Sequence, residues 1–252
     1  MVMNDLKQVL HNGIGLTPLM VKLALLVDGT SKAINIVIAI IQHHFPPKAL
    51  PMLMEVSVLP PEWYISVSMG IVVSLVWFYY TIALHIPLAS LFITHKNKYY
   101  FTLSFLSALL FSVLLFVCPL YKLFPPNYML NGIPLTMFIV HYLSLFAYGG
   151  HCFAFLAIVW KTPQLQKLDN LQFRCKYLLL LMTFLLAMTA FVLYYQGSLS
   201  CGIVDCISYV CLCAVILMHN SDYSKMIKAK DEIDAIDGFS NHMRQIVTSN
   251  ST

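Results

Sequence analysis

Apolar residues run along this chain in long blocks rather than at the period of a soluble helix or strand. Five blocks, residues 65–86, 99–121, 134–160, 175–195 and 202–218, are each long enough to cross a bilayer core, which takes about 20 residues of helix. No Lys or Arg lies in the apolar centre of any of them. Helix-breaking clusters bound them: Pro60-Pro61, His95-Lys96-Asn97-Lys98, Pro125-Pro126-Asn127, Lys161-Thr162-Pro163 and Gln196-Gly197-Ser198.

A sixth stretch, residues 23–41, is apolar overall but contains Asp28, Lys32 and Asn35. At 100° per residue, Ala24, Asp28, Ser31, Lys32, Asn35, Ala39 and Gln42 fall on one stripe. Asp28 and Lys32 are four apart, so their charges can meet. Such a helix either lies flat at the interface or spans with the stripe turned toward its neighbours. The basic residues favour spanning. Cytoplasmic loops should hold the Lys and Arg. With six spans, 12 of the 15 basic residues fall on one side and only Lys48 and Lys122 on the other, Lys32 being inside the first span. The expected fold is therefore an all-α polytopic membrane bundle of six transmembrane helices with both termini cytoplasmic. Residues 1–22 form an N-terminal cytoplasmic segment, 23–218 the six-helix domain and 219–252 a C-terminal tail.

Composition agrees. Hydrophobic residues make up 59% and charged residues 10% of the 252, against roughly 45–50% and about 25% in soluble domains. A soluble enzyme and a disordered chain are both excluded. The net charge of +4 is too small for a nucleic-acid footprint. The longest outer loop, residues 43–64, carries Pro46-Pro47, Pro51 and Pro60-Pro61-Glu62 with Leu50, Met52, Leu53 and Met54, the composition of a stiff apolar cap. In the tail, Ile227, Ile233 and Ile236 read either as one face of a short interfacial helix or as part of a solvated segment.

Candidate chemistry is sparse. Asp205 sits near the outer end of the last span, with Ser208 and Tyr209 on its side of the helix. A carboxylate there either serves a headgroup or proton or caps the outer helix end and hydrogen-bonds a neighbour. His141, Ser144, Tyr148 and His151 share one face of the fourth span beside Gly149-Gly150, where they line a cavity or make interhelical hydrogen bonds. No histidine spacing fits a zinc hydrolase, and no nucleotide or nucleophile-elbow motif is present; no metal or cofactor is expected. Cys118 and Cys201 lie at outer helix ends, where they either bond on an oxidising side or stay buried as free thiols. Cys175, between Arg174 and Lys176, is a palmitoylation candidate. Tyr223-Ser224-Lys225-Met226 has the form of a tyrosine sorting signal, and Asn250-Ser251-Thr252 is an acceptor motif on the predicted cytoplasmic side.

The pattern resembles the superfamily of damage-regulated autophagy modulators (DRAM) and post-GPI-attachment lipid-remodelling factors. The resemblance rests on a first span followed by Leu50-Pro51 and Pro60-Pro61-Glu62, on Pro163-Gln164 and Arg174 in a basic loop, on Asp205 where the family commonly has Glu, and on Asp222-Tyr223 closing the last span. It covers roughly residues 20–225. It implies a six-span protein of a mostly non-catalytic family that handles lipid alongside other proteins.

The leading expectation is a non-enzymatic accessory protein of an endomembrane lipid-handling complex. It would bind lipid between its helices through Asp28, Lys32, Asn35, His141, Tyr148, His151, Asp205 and Tyr209. Its partners would be membrane lipids and another membrane or lipid-transfer protein, in the endoplasmic reticulum, Golgi or lysosome or at the plasma membrane. The alternatives are an intramembrane lipid hydrolase or acyl-remodelling enzyme using His141, His151 and Asp205, an autophagy or lysosomal modulator, and a small transporter.

Overall fold

The computed structural model describes residues 2–44, 50–57, 60–93, 98–118, 120, 129–130, 133–162, 165–166 and 169–249. Pro46, Pro47, Lys48, His95, Lys96, Asn97, Lys122, Pro125, Pro126, Asn127, Pro163, Gln164, Lys167 and Asn250-Ser251-Thr252 lie outside the described residues, as do the side chains of Ile227, Ile233 and Ile236. Six helices carry the fold: α1 Val2–Ile41, α2 Glu62–Ile93, α3 Lys98–Val117, α4 Leu135–Lys161, α5 Leu171–Tyr195 and α6 Cys201–Ser249. A 3-10 turn at Glu55–Ser57 and a two-residue antiparallel pairing of Met129–Leu130 with Ile133–Pro134 complete the described elements.

Each helix holds a segment long and apolar enough to cross a membrane: Pro18–Ile41, Glu62–Ile86, Lys98–Val117, Leu135–Lys161, Leu171–Tyr195 and Cys201–Lys225. The all-α six-span architecture and its reading as a multi-pass membrane protein therefore stand. Helix α1 is continuous through the segment assigned to residues 1–22. Helix α6 runs on to Ser249. At about 1.5 Å per residue its 49 residues far exceed the bilayer core.

Local chemistry sets the helix ends. Asn170 caps α5, its side chain accepting from Phe173 N at 2.9 Å. Gly197, at φ +71°, closes the same helix in the left-handed conformation that costs glycine least. Arg174 donates twice to Asp169, at 3.0 and 3.2 Å, tying the preceding loop to the start of α5.

The surface is apolar. On α5, Leu178, Leu181, Leu185 and Met188 point outward while Leu180, Thr183, Ala187 and Ala190 are buried. Lipid is as apolar as leucine, so helix association rests on close packing and interhelical hydrogen bonds. Gly149 provides one close approach: a Cβ there would lie 2.5 Å from the Phe184 ring of α5. Tyr142 and Tyr177 also join α4 to α5, donating to Ala187 O at 3.0 Å and Cys152 O at 3.1 Å. Helix α6 closes the bundle onto α1. At one end Asn220 donates to Pro18 O at 3.1 Å; at the other, Asp205 meets the α1–α2 loop. The loop end is called outer below.

Candidate functional site

The stripe of α1 faces inward. Asn35 and Ser31 are buried, and Asp28, Ser31, Lys32 and Asn35 all line one cavity of about 200 Å³ in the outer half of the bundle. Helix α4 adds His141 and Ser144, and α6 adds Asp205, Ser208 and Tyr209. The floor is apolar, with Trp77, Phe111, Leu145 and Ile216. The polar stripes that the sequence placed separately on spans one, four and six thus meet.

Asp28 is held twice. Lys32 Nζ donates to its Oδ2, and Tyr209 OH donates to the same oxygen at 2.7 Å. The Lys32 ammonium also lies 4.4 Å from the centre of the Tyr209 ring. Asn35 Nδ2 donates to Ser66 Oγ at 2.8 Å and Glu62 O at 3.3 Å, leaving Asn35 Oδ1 without a partner among the described residues. Ser208 donates to Thr183 O at 3.1 Å. Asp205 does not cap its own helix. Its Oδ2 accepts from Leu53 N of the outer loop at 2.9 Å. His141 O accepts from Ser144 Oγ at 2.6 Å; its imidazole makes no hydrogen bond among the described residues, yet it lies within electrostatic reach of Asp205, Lys32 and Asp28.

Residues 50–57 form a lid over this cavity. Met52, Met54 and Val56 are buried, and the two methionines pack with Met137, Phe138, Ala190, Tyr194 and Cys201. Leu53, Met54 and Ser57 face the cavity. Glycine at position 202 is required, because a Cβ there would come within 1.9 Å of Leu50 O. Burial pushes the Glu55 carboxyl above the ordinary carboxylate range; hydrogen bonds from Met52 N and Tyr194 pull it back, and the nearby Asp205 charge adds to the rise. Cys118 packs beside the same cluster, and both it and Cys201 are free thiols.

Tyr148 and His151 are not in this cavity. His151 is ten residues from His141 on one helix, which is about 15 Å along the axis. The hydrolase constellation of His141, His151 and Asp205 is therefore not assembled. Tyr148 lies behind the floor, its ring centre 6.0 Å from that of Trp77 and 5.1 Å from that of Phe111. His151 belongs to a second, inner polar cluster below that aromatic layer.

The inner cluster is a continuous chain. Lys176 Nζ donates to Asp222 Oδ2 at 2.8 Å and to His219 Nδ1 at 3.3 Å. His219 Nε2 donates to His151 Nε2 at 3.0 Å. His151 Nδ1 donates to Ser104 Oγ at 2.9 Å and Ser104 O at 3.1 Å. Ser104 Oγ donates to His85 Nε2 at 3.2 Å, and His85 Nδ1 to Thr81 O at 2.8 Å. This one set of proton positions satisfies every ring nitrogen, with each donor pointing away from Lys176. The chain joins α2, α3, α4, α5 and α6. The ammonium of Lys176 is further enclosed by the rings of Phe155, Phe173 and Tyr177, at 5.2, 4.5 and 4.8 Å.

Two expectations change here. Lys176 is not a loop charge at the cytoplasmic edge: it is fully buried, whereas Cys175 beside it is exposed. Tyr223 is buried too, donating to Ala83 O at 3.2 Å, so no sorting signal is presented there. The sequence reading passed over His85, Ser104 and His219. The only signal of the two histidines is an imidazole inside an apolar span, which calls for a partner; Ser104 has none. No group of His, Cys, Asp and Glu among the described residues is arranged to hold a metal. No family model, curated protein or solved structure matches the chain.

Proposed function

We propose that the chain is a non-enzymatic accessory subunit of an endomembrane lipid-handling complex, holding a lipid headgroup in the outer cavity and docking a partner protein. The observation that carries this is the cavity itself, with polar walls from α1, α4 and α6, an apolar floor, and a lid of residues 50–57. Its volume is about 200 Å³. That suits a headgroup and a few methylenes, with the acyl chains passing out between helices. Polar groups that line a membrane cavity are costly unless a ligand or water meets them.

The resemblance to the DRAM and lipid-remodelling superfamily points the same way. The orientation proposed is both termini cytoplasmic, supported by the basic bias of the loops; moving Lys176 into the bundle leaves that bias in place. The partner would dock on the helical extensions of α1 and α6, which continue past the apolar spans on the inner side. Native mass spectrometry of the full chain, purified in mild detergent, tests both halves. A bound lipid that Lys32→Ala and Asp205→Asn weaken, together with a stoichiometric co-purifying protein, is the expected result. A chain free of lipid and partner defeats the proposal.

A further inference from the structure

Asp28, Lys32 and Asp205 are the formally charged residues that line the outer cavity, two carboxylates against one ammonium, with the His141 imidazole within electrostatic reach of all three. Lys32 is engaged by Asp28 and by the Tyr209 ring. Asp205 has no salt-bridge partner among the described residues. It is only 8% exposed, Leu53 N occupies one oxygen, and the other makes no hydrogen bond among the described residues. Asn35 is 2% exposed and its Oδ1 also lacks a donor among the described residues. Asp205 therefore faces the cavity without a hydrogen-bonded cation, and the cavity is short of hydrogen-bond donors among the described residues. A buried carboxylate without a cation is strongly disfavoured, and a charged donor completes it best.

We infer that the outer cavity binds a lipid headgroup bearing a primary ammonium, with the ammonium at Asp205; this rests on the lipid-binding reading above and adds the chemistry of the ligand. A quaternary ammonium brings charge but no N–H for the open oxygens. An anionic headgroup adds negative charge to a site that already has an excess of it. An aminophosphate suits both charges: its ammonium faces Asp205, and its phosphate faces Lys32, which keeps N–H groups beyond the one given to Asp28.

Native mass spectrometry of the full chain in detergent, with equal concentrations of dioctanoyl phosphatidylethanolamine, its N-acetylated form and dioctanoyl phosphatidylcholine, tests this. The first should be retained about tenfold better than the other two, the scale of one charge-assisted hydrogen bond. Asp205→Asn keeps the side-chain shape and an acceptor for Leu53, and should erase that preference. Equal retention of all three lipids by the wild-type chain overturns the ammonium assignment while the lipid-binding reading survives. A preference unchanged in Asp205→Asn overturns the role of Asp205. Retention of none overturns both readings. The wild-type comparison decides the headgroup class even where the variant does not fold.

Discussion

Replacing Lys176 by Met removes the head of the inner chain while keeping most of the side-chain volume. Asp222 is then left 3% exposed, with Lys225 its one remaining cation among the described residues, at 3.9 Å from its other oxygen. Removing one partner of a buried ion pair costs about 3–5 kcal/mol. Lys225 is 43% exposed, so solvent screens its charge and it offsets little of this. For a protein of this size about 1 kcal/mol shifts the melting temperature by roughly 2–4 °C, which puts Lys176→Met about 6–20 °C below wild type. Asp222→Asn alone should be similarly damaging, since it strands the ammonium among three rings and His219. The double variant has no buried charge, so it should recover about 2 kcal/mol relative to the worse single variant. Equilibrium unfolding in mixed micelles gives all four corners of the cycle. If the two single losses add in the double variant, the ion pair is not what couples α5 to α6, and the reasoning fails.

Asp28→Leu should destabilise the chain more than Asp28→Leu with Lys32→Leu, because only the single change leaves the Lys32 charge unpaired among the spans; melting of both variants checks the order. Gly202→Ala should displace the lid, since Leu50 O is backbone and cannot turn aside; faster hydrogen exchange across residues 50–57, with a loss of about 1–3 kcal/mol, is expected. The raised carboxyl of Glu55 makes lid stability depend on pH. It is full below the ordinary Glu range and is lost as pH rises through the elevated folded-state value. Protection factors at Leu53 should fall with rising pH in the wild type and stay flat in Glu55→Gln. Cysteines placed at Gln42 and Lys98, both exposed, should label from opposite sides of the membrane, Lys98 from the cytoplasm; labelling from one side would refute six spans.

The number of spans was legible in the sequence because it depends on a one-dimensional quantity, the length of uninterrupted apolar chain between Pro, Gly and Lys clusters. The inward stripe of α1 was legible as well, since Asp28, Lys32 and Asn35 repeat at helical spacing and cannot face lipid. Helix ends past the apolar spans were not legible, because charge marks where the membrane stops and not where the helix does. The sequence also could not say which polar residues share a layer. His141 and His151 lie on one face of α4 in any helical wheel, yet a rise of about 15 Å puts one in the outer cavity and the other in the inner chain. Lys176 looked like a loop charge because its position is one turn inside a helix edge. Only the approach of α6, carrying Asp222 and His219 from more than forty residues away, makes it a buried cation. Spacing along a helix fixes direction around the axis, and the packing of different helices fixes depth and partner; the site belongs to the second.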